Sequence, residues 1–574
     1  MTNPDIAAVF EQVADLLEFQ GAGSFRIRAY RNASRVIGDL NQPVSQMAAE
    51  GKKALTALDG IGDDLATKII TLVETGSLPI LDELLEQIPM SVLAVLRVPG
   101  LGPKRAAVLY QQLAITTLDE LREACETHRV RELKGFGAKT EEKILAGLEI
   151  AAEAERRQLW VNADREVREL LDYLGDVPGV DRIEAAGSYR RCRDTVGDLD
   201  LLAVARQSTP LMDRLAAYDR VAELLLRGDT KMSVRLKDGL QVDLRVVPDE
   251  AFGAALQYFT GSKEHNVVLR GRAKKLGLKI SEYGVFRSEQ RVAGREEQEV
   301  YQAVNLPWIP PELREARREF QWADADALPK LIERQDIRGD LHMHTTWSDG
   351  VATIEEMAQA ARRLGYQYIA ITDHSKRVTV AGGLTAEQLR RQWDEVDRVN
   401  AELDDIEILR GVEVDILEAG GLDLPDDVLA DAQWVMASVH FGQNQPEEQI
   451  TRRMVQALEN PHVSAIAHPT GRMLRQREAY KVDLEAVMHA AAEHGKMLEL
   501  NSGPARLDLD DVACARAKAL GVPVVISTDS HRPERLEAMR LGINQARRGG
   551  LTADDVANTR PWAELKAMLG PRAE

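Results

Sequence analysis

Two aspartates one residue apart, Asp198 and Asp200, open an apolar run that continues through Leu201, Leu202, Ala203 and Val204. In a strand, residues i and i+2 point the same way, so both carboxylates emerge on one face while the leucines go to the other. Side-by-side carboxylates repel and call for a cation between them, and hard oxygen ligands suit Mg2+ or Mn2+. Asp243 lies in a second strand-like run, Leu240–Val247. If the two strands pair, three acids converge and can hold two divalent cations about 3.5–4 Å apart, the arrangement that in-line phosphoryl transfer requires. Just upstream, Gly187 and Ser188 form a small-residue turn followed by Arg190 and Arg191. Backbone N–H, hydroxyl and fork-shaped guanidinium together suit a triphosphate. Asp-x-Asp alone is common on exposed strands; with the turn and the third acid it points to nucleotidyl transfer.

A second constellation begins near Gly339. Nine of the eleven histidines lie from Asp336 onward. His342 and His344 alternate in DLHMHT, Asp349 follows, His374 ends YIAITDH, and Glu413 lies in GVEVDI. His440 ends WVMASVH, His468 ends VSAIAHP, and Asp529 and His531 close VVISTDSH. Each sits at or near the C-terminal end of a short β-branched run, and helical stretches separate the runs. Alternating strand and helix predicts a parallel barrel with its function at that rim. Mixed imidazole and carboxylate donors suit Mn2+, Zn2+ or Fe2+, which lower the pKa of a bound water toward about 7 and so serve phosphoester hydrolysis. His462, His489 and His494 match no such pattern, and Arg472, Arg475 and Arg477 are candidates for phosphate contact or for a solvated loop.

The elements that carry these groups follow a helical N-terminal region. Ile6, Val9, Phe10, Val13, Leu16 and Leu17 recur at helical spacing, and Ser24–Arg35 is basic with interleaved aromatics. Three short repeats come next: Leu58–Ile69, Val98–Leu109 and Leu133–Ile144. Each carries a Gly-x-Gly (Gly60 and Gly62, Gly100 and Gly102, Gly135 and Gly137) between helical stretches. Such a hairpin lets backbones approach closely and presents helix-start N–H groups to a DNA phosphate, without reading base sequence. These are helix-hairpin-helix patterns. Leu306–Leu313 is proline-rich and marks a boundary, followed by an expected polar linker.

The formal charge is −19. Asp336–Glu574 holds 27 Lys and Arg against 39 Asp and Glu, a balance of −12, and the preceding residues 46 against 53, a balance of −7. DNA binding must therefore come from local basic surfaces. Cys125, Cys192 and Cys514 are scattered singly, which excludes a disulfide framework and a cysteine zinc cluster and fits a reducing cytosol. No apolar run approaches about 18 residues, and MTNPDIAAVFEQ has no leader-like pattern, so neither a membrane span nor a leader is expected.

GSYRR, GDLDLL, VDLR and the YFTGS of Tyr258–Ser262 together resemble the family X DNA polymerases, the polymerase beta group. The resemblance implies that Asp198, Asp200 and Asp243 hold two catalytic metals, and that Ser188 and Arg191, with Gly187 and Gly197 nearby, bind the incoming deoxynucleoside triphosphate. It implies that Tyr258, Phe259 and Gly261 line the sugar, that Asn266 touches the base, that Arg270 meets the template, and that Arg245 pairs with the metal-site acids. The family often carries Gly after the two arginines, where this chain has Cys192. Lys68, six residues after Gly62, matches the position of a beta-type lyase lysine. From Gly339 on, the chain resembles the PHP (polymerase and histidinol phosphatase) domain, with all nine ligand positions filled. That likeness implies up to three ions: one on His342, His344, Glu413 and Asp529, one on Glu413, His440 and His468, and one on Asp349, His374 and His531.

The expected multidomain fold is a helical lyase-like, DNA-binding region (1–90), a helix-hairpin-helix fingers-type domain (91–150), an α+β nucleotidyltransferase palm (151–250), a nucleotide-selecting subdomain (251–310), a linker (311–336) and a distorted (β/α)7-type PHP barrel (337–574). As a whole it resembles the bacterial PolX group. The resemblance implies a monomeric, cytoplasmic, nucleoid-associated gap-filling DNA polymerase acting on gapped or nicked DNA in base excision or end repair, with a metal-dependent 3′-5′ exonuclease. Three other readings stay open: a structural PHP domain, a PHP phosphatase for small metabolites, and a non-catalytic DNA-end scaffold.

Overall fold

In the computed structural model, which describes residues 3–569 apart from 39–43, 45–46, 49–50, 59, 76–77, 90, 97 and 99–100, the chain forms two units. One is built on Met1–Glu155, the other on Arg156–Thr379 with Gly383–Glu574. The first is helical. Ile6, Phe10, Val13 and Leu17 of the Asn3–Phe19 helix are buried, as their spacing requires.

The glycine repeats share one local geometry. Ile61 N donates to Leu58 O (3.1 Å), Leu101 N to Val98 O (2.9 Å) and Phe136 N to Leu133 O (3.0 Å). These middle residues are buried anchors, and Gly60, Gly62, Gly102, Gly135 and Gly137 around them are exposed. Gly100 lies outside the described residues. A helix leaves each turn: Asp63–Thr75, Pro103–Leu113 and Ala138–Arg156. Gly60 (φ +85°) and Gly135 (φ +91°) occupy backbone conformations open mainly to glycine. The Ala138–Arg156 helix runs through the expected boundary at 150.

The second unit holds two sheets of opposite design. The palm sheet has the strand order Val180–Ala185, Asp198–Ala205, Gln241–Val246, Lys231–Leu236, Val221–Arg227. Only the Asp198–Ala205 and Gln241–Val246 pair is parallel. Its core, including Leu199, Leu201, Val242 and Leu244, also takes in Leu507 and Leu541 from the C-terminal half. The other sheet is a run of seven parallel strands: Gly339–Asp340, Tyr368–Ile371, Glu407–Asp415, Trp434–Ser438, Ala465–Ile466, Met497–Asn501 and Val524–Ser527. A parallel bridge between Met343 and Ser530 nearly closes it into a barrel. Leu341, Tyr368, Leu409, Trp434, Met436 and Met497 pack together on one side of these strands with Trp562 and Leu565.

The expected linker at 311–336 is instead packed structure. Arg314 is fully buried and donates to Glu297 (2.6 Å) and to the Ile309 carbonyl (2.9 Å). Buried Glu319 meets His265 at 2.9 Å, and Leu331 and Ile332 are core residues. The segment reads as polar because its charges find partners remote in sequence, which local composition does not reveal.

Two candidate metal centres

In the palm, Asp200 and Asp243 are Cα partners across the parallel pair, and Asp198 stands two residues before Asp200. The register therefore brings the three acids to one end of two strands. Burial, then Asp198 and Asp243, pushes Asp200 up to about 7. Asp198 is raised by burial and by Asp243. Lys231 Nζ lies 3.7 Å from Asp243, and the charges of Arg157 and Arg191 offset part of the repulsion at Asp198. Arg245, expected to pair with the acids, stacks over the Phe259 ring at 4.3 Å and reaches Asp200 only through its charge. A partly buried, mutually repelling oxygen set fits one or more divalent cations.

Gly187 has φ +64°, and a Cβ there would lie 2.7 Å from Asp200 Oδ2. Cys192 takes φ +54°, so the turn keeps its left-handed residue where the family often has glycine. Arg190 is committed to structure, donating to Glu297 (2.8 and 3.0 Å) and Thr260 (2.8 Å). Arg191 donates to Glu315 (3.2 Å) and to the Thr260 carbonyl, beside Gly261. Ser188 and Gly197 flank this turn, half-buried, and a Cβ on Gly197 would meet Arg157 at 3.4 Å. Tyr258 and Phe259 meet edge-on at the end of the Phe252–Thr260 helix. The Asn266 amide is fixed by the Tyr258 carbonyl (2.8 Å) and by Gln257 (2.7 Å). Arg270 is exposed on the Lys263–Lys275 helix.

Lys68 pairs with Asp64 and lies 5.5 Å over the Tyr30 ring. Burial lowers its pKa, but Asp64 and Tyr30 outweigh burial and the net shift is upward. A charged amine is a poor Schiff-base nucleophile.

The barrel gathers all nine histidine and carboxylate candidates at its strands' C-terminal ends. His344, Asp349, His374 and His531 offer ligand atoms within 4.8 Å of one another, as do His342, His344 and Asp529, and His374, Glu413 and His440. His468 Nε2 lies 3.1 Å from Glu413. His344 and His374 thus each touch two groups, a tighter sharing than the expected partition. His342 Nε2 and His344 Nδ1 are buried without a hydrogen bond, which fits nitrogens that ligate a cation. Burial, with His531 and His374 beside it, drives His344 down to about 3, the neutral form that ligates. Burial opposes ionisation of Glu413, but His440, His374 and His342 hold it well below the usual carboxylate range.

Around these nine stands a shell of acids that the sequence reading missed. Glu499, on the one barrel strand that supplied no ligand candidate, meets His342 Nδ1 (2.7 Å) and accepts from His468 N (2.6 Å) and Ser527 (2.6 Å). Asp415 meets His440 Nδ1 (3.1 Å), and Asp373 accepts from Thr345 and Gln392. The available signal was position: Asp415 ends its strand, and Glu499 lies two residues before the end of its own, as Glu413 does. Such partners fix ring orientation, and their loss weakens metal affinity about 10–100-fold. Glu499→Gln is expected to weaken Mn2+ binding to the full chain by that amount in a calorimetric titration, and unchanged affinity would remove Glu499 from the site. Arg472 is structural, donating to the Leu507 and Arg506 carbonyls.

Comparison with known proteins finds four matching stretches. Residues 255–315 match the DNA polymerase beta thumb, 1–78 a helix-hairpin-helix domain, 92–149 a SAM-like helix-hairpin-helix tandem, and 340–503 the PHP domain. The DNA polymerase/3′-5′ exonuclease PolX of Bacillus subtilis (strain 168) is 40% identical over 573 residues, 99% of each chain. DNA polymerase lambda of Rattus norvegicus is 26% identical over 343 residues, 54% of this chain and 56% of that one. A probable phosphatase of Thermoanaerobacter sp. (strain X514) is 31% identical over 231 residues, 38% of this chain and 89% of that one. With a full-length relative at that identity, a polymerase beta thumb, paired hairpin domains and a PHP barrel on one chain, the protein belongs to the family X DNA polymerases with a C-terminal PHP domain, the PolX group.

Proposed function

We propose that this chain fills short gaps in DNA during repair, and that its barrel trims 3′ ends before or between additions. The reading rests above all on the register of Asp200 against Asp243, with Asp198 beside them and the Gly187–Arg191 turn next to them. Asp198, Asp200 and Asp243 would hold Mg2+ or Mn2+, which when bound supply charge neutralisation at the reacting phosphate. Ser188 and Arg191 bind the triphosphate of a deoxynucleotide, Tyr258, Phe259 and Gly261 shape the sugar pocket, and Asn266 faces the base. Gly187 lets the turn close onto Asp200. The exposed hairpin glycines hold the DNA backbone, and Arg270 meets the template.

In the barrel, the nine ligands would hold Mn2+, Zn2+ or Fe2+, Glu499 and Asp415 keep the His342 and His440 rings aimed, and Asp373 holds the backbone at Thr345. Lys68 contributes no lyase step in this reading. We place the protein in the bacterial cytoplasm, working on nucleoid DNA as a monomer; among the described residues no helix is long and apolar enough to cross a membrane.

The test is a gapped duplex with a labelled primer, offered each divalent cation with and without deoxynucleotides. Extension with nucleotides and 3′ shortening without them are expected, and failure of both under every cation would end the proposal. Gly187→Ala is expected to cost on the order of 10²-fold in single-nucleotide addition, because the Asp200 carboxylate must shift; 3′ shortening stays unchanged. The probable phosphatases match only 38% of this chain. Release of inorganic phosphate from a sugar phosphate, without DNA cleavage, would favour that second reading.

A further inference from the structure

The polymerase turn is tied to the barrel by one buried arginine. Arg548 ends the Met539–Arg548 helix of the C-terminal half and is almost wholly buried. Its Nη1 donates to the Arg191 carbonyl (2.8 Å) and to Glu315 Oε1 (3.0 Å), and its Nη2 donates to Asp511 (2.7 Å). Glu315 Oε1 also accepts from Arg191 Nε at 3.2 Å, and Glu315 Oε2 lies 3.4 Å from Arg193. One carboxylate therefore serves three guanidiniums. None of the nine barrel ligands belongs to this network.

We propose that Arg548 is a positioning residue for nucleotide addition: it shares Glu315 with Arg191, so that the Arg191 guanidinium keeps charge available for a triphosphate. The inference rests on the reading of Arg191 as a triphosphate-binding residue. The physical argument is a competition. A phosphate must draw Arg191 away from Glu315, and Glu315 holds Arg191 less strongly when a second buried, fork-shaped donor occupies the same oxygen. The bond from Arg548 to the Arg191 carbonyl fixes the backbone of the turn at the same time. Without Arg548, Glu315 closes on Arg191 and the turn loosens.

Arg548→Ala is expected to raise KM for the deoxynucleotide about tenfold, with kcat changed much less. Removing the competing charge as well, in Arg548→Ala/Glu315→Gln, should return KM most of the way. Arg548→Lys, which keeps the charge and loses the fork, should fall between. The 3′-shortening rate of each preparation reports whether the barrel is folded and should match wild type. An unchanged KM in Arg548→Ala, or an equal loss of addition and shortening that Glu315→Gln does not relieve, overturns the proposal. Arg191→Ala separates the two levels. If it too leaves KM unchanged, the triphosphate reading falls and this inference with it; if it raises KM while Arg548→Ala does not, only the role of Arg548 falls.

Discussion

Asp200→Ala is expected to abolish nucleotide addition, by on the order of 10³-fold or more, while leaving 3′ shortening intact. A cation-holding carboxylate at a phosphoryl-transfer centre accounts for several kcal/mol of barrier, and each 1.4 kcal/mol is about tenfold in rate. Asp200 is the member of the trio with both other acids beside it: Asp243 across the strand pair and Asp198 two residues before. The same crowding sets the sign of its effect on stability. With no cation bound, burial and the two neighbours raise Asp200 to about 7. Between the ordinary aspartate range and that value, the folded chain keeps a proton that the unfolded chain has released. This group therefore makes metal-free stability fall as pH rises across that window. Asp200→Ala removes the fall. In a chelator near pH 8 the variant should unfold no earlier than wild type, and with Mg2+ it should lose the stabilisation that wild type gains. Extension that survives the substitution would dismantle the palm assignment; a lower metal-free unfolding temperature would make Asp200 a structural residue.

Much of this site was legible because its signals are local. Alternation put Asp198 and Asp200 on one face, and Gly-x-Gly spacing marked three turns that prove to close with the same backbone bond. The histidines announced a barrel rim because each ended an apolar run. What stayed hidden depends on partners far apart in the chain. The pairing of Asp200 with Asp243 could be posed as a condition, but a strand sequence does not state its neighbour. Residues 311–336 looked like solvated linker because Arg314, Glu315 and Glu319 are charged; they are ordered by Glu297, Arg548 and His265. Glu499 and Asp415 were passed over because a lone acid on a strand has an ordinary explanation, and only the fold sets them against ligand rings.

Glu413→Gln is expected to have the mirror-image signature. Glu413 is the hub of the histidine centre: His342, His344, His374, His440 and His468 all present a ring nitrogen within 4 Å of its oxygens. An amide offers one weaker oxygen and no charge, so cation binding and 3′ shortening should be lost, again by on the order of 10³-fold or more, with nucleotide addition retained. The stability effect runs opposite to that of Asp200. Burial disfavours the Glu413 charge, yet His440, His374 and His342 more than offset burial and depress its pKa. A depressed carboxylate stabilises the fold above its unfolded pKa, and that stability is lost as pH falls toward the folded value. Removing one partner of such a buried set costs about 3–5 kcal/mol. In chelator near pH 7, Glu413→Gln should therefore unfold at a clearly lower temperature than wild type, where Asp200→Ala does not. The contrast follows from composition: the palm acids face one another and need a cation to coexist, whereas Glu413 already has imidazoles around it. Equal metal-free unfolding temperatures for wild type and Glu413→Gln would mean that the imidazoles are not charged against Glu413, and that the barrel centre, like the palm, is held apart until a cation arrives.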